Sequence, residues 1–289
     1  MNTIKPLINE PALIIELSPT NKFLVIADLH LGIEYTLIEG GAQIPSQTQT
    51  QRLIDRLLKI IDQVQPTHLI ILGDIKHSVP NISPMEWHVV PYFFKSLKNI
   101  PIHIILGNHD SEAQIEGLTT RNTIIHPASG CLLTLTKDDT FLKVGLFHGH
   151  TWPRKDLLSA DILIMAHNHP VIKFQDDFNV KIYEPAWIRL HWNQRKLARA
   201  YLNYLHIKKA KNPLKLLQEK YKILIASNPE IIIMPAFNDL LGGIPFNVPN
   251  SQFLGPLFQS KSLDLDEAEA ILLDGTPLGK IKEIRLKNE

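Results

Sequence analysis

Side chains that can bind metal recur at the points where short apolar runs of the sequence end. A buried strand that ends in a carboxylate or an imidazole is energetically costly unless that group is paired or bound to a metal. A single strand of this kind can be explained by a carboxylate or histidine whose hydrogen bonds are satisfied within the core. A series of them favours a shared metal site. The runs are "FLVIADLH" with Asp28 and His30, "HLIILGD" with Asp74, "IHIILGNHD" with Asn108, His109 and Asp110, "VGLFHGH" with His148 and His150, and "ILIMAHNH" with His167 and His169.

The same runs predict the elements that position these side chains. Each run is short, rich in β-branched residues and flanked by polar or turn residues, which is typical of buried strands. Apolar residues at helical spacing predict a helix over Leu53–Val64. A second helix is expected after Ser83 as N-cap, with Pro84 at its first helical position. Strands alternating with helices indicate a layered α/β fold, in which ligands gather beyond the carboxyl ends of the strands.

The composition is that of a soluble globular protein with room for a sizeable core. The chain has 289 residues, of which 44% are hydrophobic and 20% charged, and its net charge is +1. Cys131 is the single cysteine, so no intrachain disulfide can form, and a cytoplasmic location is expected. No signal peptide and no membrane span are predicted from the apolar runs.

The later part of the sequence predicts a second sheet and one basic segment. Strand-like runs follow each other closely after residue 129, and Asp274-Gly275 marks a hairpin turn near the end. From Arg195 to Lys222 there are nine Lys or Arg residues and one acid, Glu219. This stretch is either a solvated amphipathic surface or a binding face for a polyanion.

The ordered set of strand ends resembles the calcineurin-like metallophosphoesterase superfamily. The pattern of that superfamily is D-x-H, GD, GNH[D/E], a single H, and GHxH. Here it stands as "DLH", "GD", "GNHD", His148 and "AHNH" across residues 28–169. Ala166 replaces the usual glycine, and activity is expected to survive because both histidines of that motif are present.

A narrower resemblance is to the ICC-like phosphoesterases, which are related to SbcD-type nucleases. It is carried by "ADLHLGIEYTLIEGGAQIPSQT", "GDIKHSVP", "EPAWIRL" and "MPAFNDLLGGIPFN". The resemblance implies a four-layer α-β-β-α sandwich with two mixed sheets. It also implies that residues 1–289 form a single phosphoesterase domain, with a basic helical insertion at 195–225 and a segment at 226–289 that completes the second sheet.

The resemblance assigns metal ligands residue by residue. Two divalent ions are implied, with Mn²⁺ as our first choice and Fe, Zn²⁺ or Mg²⁺ as alternatives, because the ligand types are imidazole, carboxylate and amide. Asp74 would bridge the two ions. The first ion would be held by Asp28, His30, Asp74 and His169, and the second by Asp74, Asn108, His148 and His167.

Further residues receive catalytic or binding roles by the same comparison. His109 would act as general acid on the leaving oxygen, and Asp110 would orient its ring. Possible contacts to substrate phosphate, which could equally be ordinary surface residues, are Lys76, His77, His150 and Arg154.

The expected activity is metal-dependent hydrolysis of phosphodiester bonds, with DNA or RNA as the first candidate substrate. Tyr201 and Tyr204 in the basic stretch could stack on bases. One alternative is a phosphodiesterase or phosphatase for small nucleotides. Another is a non-catalytic protein-binding scaffold, which ranks last because every expected ligand and His109 are present. The sequence does not predict the oligomeric state.

Overall fold

The computed structural model divides the chain into two compact units. The first unit contains the chain up to Ala128 and also the segment Ala236–Gly242, and the second contains Ser129–Pro235 and the chain from Gly243 onward. The structure describes residues 4–18, 21–43, 48–97, 99–137, 140–176, 178–207 and 210–286.

A six-stranded mixed sheet forms the centre of the first unit. The first three strands pair antiparallel in chain order, and the third to the sixth are parallel neighbours. The parallel part follows from the alternation of strands and helices in the sequence, since parallel neighbours need a crossover connection. The strands are β1 (Ile4–Pro6), β2 (Ala12–Ser18), β3 (Asn21–Ala27), β4 (His68–Leu72), β5 (Ile102–Ile105) and β6 (Thr123–His126).

Helices cover one face of this sheet and bury an aliphatic and aromatic core. Alternate strand residues such as Leu24, Leu69 and Ile102 pack in one cluster with Leu57 and Phe93 of the helices. Period-two alternation in the strands and helical spacing in the helices place these side chains on facing surfaces. The helices are α1 (Ile33–Glu39), α2 (Thr48–Val64), α3 (Glu86–Ser96) and α4 (Glu112–Leu118).

Both helices predicted from the sequence of this unit are present. Helix α2 contains the predicted range and begins earlier, at Thr48. Helix α3 begins at Glu86, so Pro84 precedes the helix and the prediction that Pro84 opens it is wrong. Ser83 and Glu86 nevertheless exchange the two hydrogen bonds of a capping box ahead of the helix. The Ser83 N–H donates to Glu86 Oε2 at 2.7 Å, and the Glu86 N–H donates to Ser83 Oγ at 3.3 Å.

A nine-stranded mixed sheet forms the centre of the second unit. Its main path has the order β13-β10-β11-β12-β9-β8-β7, and β14 joins at β11 and pairs with β15. The pair β14–β15 is antiparallel and contains the hairpin predicted at Asp274-Gly275. The strands are β7 (Cys131–Lys137), β8 (Thr140–Leu146), β9 (Ile162–Met165), β10 (Pro170–Gln175), β11 (Lys181–Leu190), β12 (Glu230–Ile233), β13 (Ile244–Pro245), β14 (Glu269–Leu272) and β15 (Pro277–Lys280).

Short helices pack against this second sheet. The basic stretch of the sequence forms two of them, α5 (Gln194–Tyr204) and α6 (Pro213–Tyr221), each capped by an asparagine side chain at its N-terminus. A 3₁₀ turn spans Leu157–Ser159, and α7 spans Pro256–Gln259. Lys208 and Lys209 of the basic stretch lie outside the described residues.

The α/β class with two mixed sheets is therefore confirmed. Four strands from the segment after residue 226 belong to the nine-stranded sheet. The single-domain boundaries and the insertion at 195–225 stay predictions. Within the part of the chain that is described, no helix has the length and apolarity needed to cross a membrane.

Three histidines line up across neighbouring strands of the first sheet. His68, His103 and His126 belong to β4, β5 and β6, and His103 Nδ1 lies 2.9 Å from His126 Nε2. The rings of His103 and His126 stack with centroids 5.2 Å apart, and the centroids of His68 and His103 are 5.6 Å apart. Burial, together with the charges of His126 and His68, lowers the pKa of His103 to about 4.

The loops after β4 and β5 approach each other so closely that one position excludes any side chain. A Cβ atom added to Gly107 would lie 2.0 Å from Asp74 Oδ1 and 2.2 Å from the Asp74 backbone nitrogen. Gly117 in α4 is a contrasting case, because an added Cβ there meets no atom within 4 Å.

Alanine substitution at these two glycines should have opposite effects. Gly107→Ala forces the loop that carries Asp74 to move, and we expect a loss of about 3 kcal/mol or more in the free energy of unfolding. Gly117→Ala in the helix should be neutral or stabilise by about 0.5–1 kcal/mol. Urea unfolding of both variants checks this, and equal stabilities would contradict the described loop packing.

The histidine row predicts a component of acid sensitivity. The unfolded chain protonates His103 near pH 6.5, whereas the folded chain does so near pH 4. The unfolded state therefore binds more protons in this window, and the free energy of unfolding falls as the pH falls through it. His103→Gln should make stability depend less steeply on pH between 6.5 and 4 in urea titrations. His88→Gln, at an exposed position of α3, is the matched control and should keep the parental slope.

Candidate metal centre

Most of the predicted metal ligands have an unusual backbone conformation. Five of the seven have positive φ angles, a region that residues other than glycine enter rarely. Such residues are strained by about 1–3 kcal/mol each and cluster at functional sites, where the surrounding structure holds them in place. The five are Asp28 (φ 55°), His30 (φ 40°), Asp74 (φ 44°), His167 (φ 71°) and His169 (φ 41°).

In the first unit, parallel pairing continues beyond the ends of β3 and β4 and fixes the ligand-bearing turns. The His30 N–H donates to the Asp74 carbonyl at 2.8 Å, and the Leu31 N–H donates to the Ile75 carbonyl at 2.8 Å. The two turns are thus tied to each other by backbone hydrogen bonds. This pairing places Asp28, His30 and Asp74 at the same edge of the sheet.

Asp74 is a buried carboxylate that lies beside a backbone N–H group and two imidazole rings. Its Oδ1 accepts the His109 backbone N–H at 3.0 Å, and its Oδ2 lies 3.3 Å from His30 Nε2 and 4.0 Å from His109 Nε2. Asp28 is also fully buried, whereas the side chain of Asn108 is exposed. The edge of the sheet therefore contains two buried carboxylates.

The ring of His109 is held by a backbone carbonyl. His109 Nδ1 is within hydrogen-bond distance of the carbonyl oxygen of His77. Since a carbonyl only accepts, Nδ1 must carry the proton, and Nε2 is the nitrogen directed toward Asp74. The ring nitrogens of His30, His77 and His109 lie within 4.8 Å of one another, so this group could itself hold a metal ion.

Burial is the main cause of a lowered pKa at two of these imidazoles, His109 and His77. Burial lowers the pKa of His109, and His30 and Lys76 lower it further, while Asp74 and the His77 carbonyl act in the opposite direction. Burial also lowers the pKa of His77, with added lowering by His30 and His109. Both rings therefore favour the neutral form, which is the form that binds metal.

Asp110 joins the loops after β4 and β5. Its carboxylate accepts N–H groups from Ile75 at 3.1 Å, Gly107 at 3.1 Å and Lys76 at 3.4 Å. These hydrogen bonds position the backbone around Asp74. The orientation of the His109 ring by Asp110 stays a prediction, whereas the ring contact that the structure shows is with the carbonyl of His77.

Glu86 organises the next loop, although the sequence motifs assign it no role. Its fully buried carboxylate accepts the backbone N–H groups of His77 at 2.9 Å, Ser78 at 2.6 Å and Ser83 at 2.7 Å. This loop carries the carbonyl that holds His109. The capping-box spacing of Ser83 and Glu86 is the signal that could have identified it.

Two of the possible phosphate contacts are engaged within the protein. Lys76 is fully buried, and its ammonium group donates to the Ser78 carbonyl. Arg154 in the second unit is exposed, and its Nε donates to Asp156 Oδ1 at 2.7 Å. Either side chain would have to exchange this partner to reach a phosphate.

In the second unit, the ends of β8 and β9 bring three imidazoles together. His148 is fully buried, and its Nδ1 lies 3.0 Å from His150 Nδ1. The ring centroids of His148 and His167 are 4.9 Å apart, and those of His150 and His167 are 5.9 Å apart. The strands β8 and β9 are parallel neighbours, which explains why their ends meet.

The turn that carries His167 and His169 is fixed by its neighbours. Ala166 donates its N–H to the His148 carbonyl at 3.0 Å, and its φ is not in the left-handed region, so a methyl group is accommodated. Asn168 is buried, and its side chain exchanges two hydrogen bonds with the backbone of Leu254. Asn168 is a second positioning residue that sequence reasoning did not identify.

A late segment of the chain supports the first unit. Asn238 donates to the Leu29 carbonyl at 2.7 Å, between two predicted ligands, and accepts from Gln49 at 2.8 Å. Phe237 is fully buried in the core of this unit, and its N–H donates to the Ala27 carbonyl. A segment from late in the chain therefore supports the turn after β3 that carries Asp28 and His30.

Comparison with known proteins gives one family and several solved structures. The family model for calcineurin-like phosphoesterases matches residues 21–209. The Pseudomonas putida nuclease MPE is 17% identical, with a TM-score of 0.49, over 95% of this chain and 100% of its own. The Escherichia coli phosphoesterase Yfce is 18% identical, with a TM-score of 0.34, over 56% of this chain and 76% of its own. No curated protein matches.

The family match spans more than half of the chain and includes all seven predicted metal ligands. It therefore determines the class of chemistry, hydrolysis of phosphoesters by a metal-binding protein. This chain belongs to the calcineurin-like phosphoesterase family.

Proposed function

We propose that this protein is a two-metal phosphodiesterase whose substrate is nucleic acid. The observation that carries the metal part is the strained backbone at five of the seven ligand positions. Strain of this kind persists only where the surrounding structure enforces it, and here it occurs at carboxylates and imidazoles that follow the ends of strands.

The residues present fit divalent metal. Asp28, Asp74 and His148 are buried, and a buried carboxylate is stabilised by a nearby dication. We propose the ligand sets implied by the family pattern, which are Asp28, His30, Asp74 and His169 for one ion, and Asp74, Asn108, His148 and His167 for the other. When bound, such ions activate water and stabilise charge on the attacking and leaving oxygens.

His109 is proposed to protonate the leaving oxygen. Its Nδ1 is held by the carbonyl of His77, so its Nε2 is the nitrogen that could exchange a proton with substrate. A phosphate anion beside the ring would favour the charged imidazole and oppose the effect of burial. Glu86 would act indirectly, by fixing the loop that contains the His77 carbonyl.

The basic helices favour a polyanionic substrate. Arg195, Lys196 and Arg199 are exposed on α5, and Lys215 and Lys220 are exposed on α6. The whole chain has a net charge of only +1, so this positive charge is local. Local positive potential raises encounter rates with anions.

A panel of phosphoesters assayed with Mn²⁺ tests the proposal. The panel contains bis-p-nitrophenyl phosphate, cyclic nucleotides, and single- and double-stranded DNA and RNA. Hydrolysis of DNA or RNA is the expected result. Activity confined to cyclic or other small nucleotides would overturn the nucleic-acid part and support the small-nucleotide alternative.

Substitution of the bridging carboxylate should remove metal. We expect the parent protein to bind two Mn²⁺ ions per chain. Asp74→Ala should lose both ions, because Asp74 is a proposed ligand of both. Equilibrium dialysis followed by elemental analysis measures the stoichiometry. Asp62→Ala, at an exposed position on α2, is the matched control and should bind metal like the parent. Full stoichiometry in Asp74→Ala would show that the bridge is wrongly assigned.

Substitution of His109 should separate acid catalysis from metal binding. His109→Ala is expected to retain metal and to lose roughly 10²–10⁴-fold in the rate with a poor leaving group. The loss should shrink with p-nitrophenolate, which departs without protonation. His88→Ala serves as the control on an exposed surface. An equal loss with good and poor leaving groups would argue against the general-acid role.

A further inference from the structure

Three aromatic rings form a cluster where α5 packs in the second unit. The ring centroids of Trp152 and Tyr204 are 5.7 Å apart at an interplanar angle of 32°. Tyr201 packs against both, with centroids 5.4 Å from Trp152 and 5.6 Å from Tyr204. Neither the sequence motifs nor the metal chemistry accounts for this group.

The exposure of the three rings differs, and this decides which could bind a ligand. Tyr201 is 5% exposed and belongs to the core, so the predicted stacking of a base on Tyr201 is wrong. Tyr204 is 52% exposed, and Trp152 is partly buried against the core. Tyr201 therefore packs in the core against the other two rings. Tyr204 and Trp152 form the accessible part of the cluster.

The chain places this surface close to one group of imidazoles. Trp152 follows His150 by two residues, which limits the separation of their Cα atoms to about 7 Å. His150 itself approaches His148, with their Nδ1 atoms 3.0 Å apart. A distance of about 7 Å equals the rise of about two stacked nucleotides.

Positive charge lies along the same helix. Lys196 and Tyr204 are eight residues apart on α5, so with Ala200 between them they share one ridge of the helix surface. Arg195 and Arg199 occupy the adjacent exposed ridge. The aromatic surface thus continues into a cationic one, a combination that suits a ligand with flat rings and a negatively charged backbone.

We propose that Trp152 and Tyr204 form a stacking platform for an unpaired base of single-stranded nucleic acid. Lys196 and Arg199 bind the phosphates of the same strand. This inference rests on the proposed function, and it specifies the substrate as unpaired rather than duplex nucleic acid. Stacking needs an exposed base face, which a base inside a duplex does not offer, and it tolerates any base because each has a π-face.

Binding without hydrolysis tests the platform directly. The protein is treated with EDTA, and its affinity is measured by fluorescence anisotropy for a labelled oligothymidylate and for an abasic strand of equal length. Tyr204→Ala should weaken binding of oligothymidylate roughly 5- to 150-fold and change binding of the abasic strand little. Tyr204→Phe keeps the ring and should retain the parental affinity.

A second pair of variants separates stacking from charge. The double change Lys196→Ser with Arg199→Ser should flatten the slope of log affinity against log salt by about 0.7 for each phosphate that these cations neutralise in the parent. Tyr204→Ala should leave this slope as in the parent. Tyr183→Ala, at an exposed tyrosine of β11, is the matched control and should bind like the parent.

The outcomes distinguish the platform from the proposed function. If Tyr204→Ala binds oligothymidylate like the parent, or loses equal affinity for the abasic strand, the platform is wrong whatever the enzyme hydrolyses. If the parent with Mn²⁺ cleaves no nucleic acid but binds oligothymidylate through Tyr204, the proposed substrate of hydrolysis is wrong and the platform stands.

Discussion

The buried carboxylate of Asp74 is the constraint on which the first unit depends. A charge removed from water must be compensated, and Asp74 accepts the backbone N–H of His109 and lies 3.3 Å from the imidazole of His30. The arrangement also requires strained backbone, since Asp74 and His30 both have left-handed φ angles. Gly107 also depends on the position of Asp74, because a side chain at residue 107 would collide with this carboxylate.

Two further carboxylates, Asp110 and Glu86, fix successive loops around Asp74. Asp110 binds the backbone of the turn after β4, and Glu86 binds the backbone of the loop that follows. Each carboxylate collects several N–H groups, so it satisfies donors that the irregular backbone would otherwise leave without a partner. The position of the His109 ring therefore depends on residues that would not touch substrate.

The strand ends were predictable from the sequence because their signal is local. Apolar runs that stop at Asp74 or at His167 indicate both the strand and the chemistry at its end, and the two mixed sheets follow from the order of the runs. Asn168 was not predictable as a positioning residue, since its partners are backbone groups whose arrangement exists only in the folded chain. For Glu86 the sequence offers only the capping-box spacing with Ser83, and its bonds to the His77 and Ser78 backbone likewise appear only in the folded chain. The burial of Tyr201 was missed because helical spacing alone does not show which ridge of α5 faces the core.

The first unit takes residues from two distant parts of the chain, and this has a consequence for its synthesis. The main part ends at Ala128, yet Phe237 and Asn238 complete its core and its ligand-bearing turn. At about 5–20 residues per second, a ribosome needs roughly 5–25 s to reach this segment after Ala128. During that interval the nascent chain has the turn after β3 without the amide that supports it. The order of translation thus delays completion of the first unit until most of the second has been made.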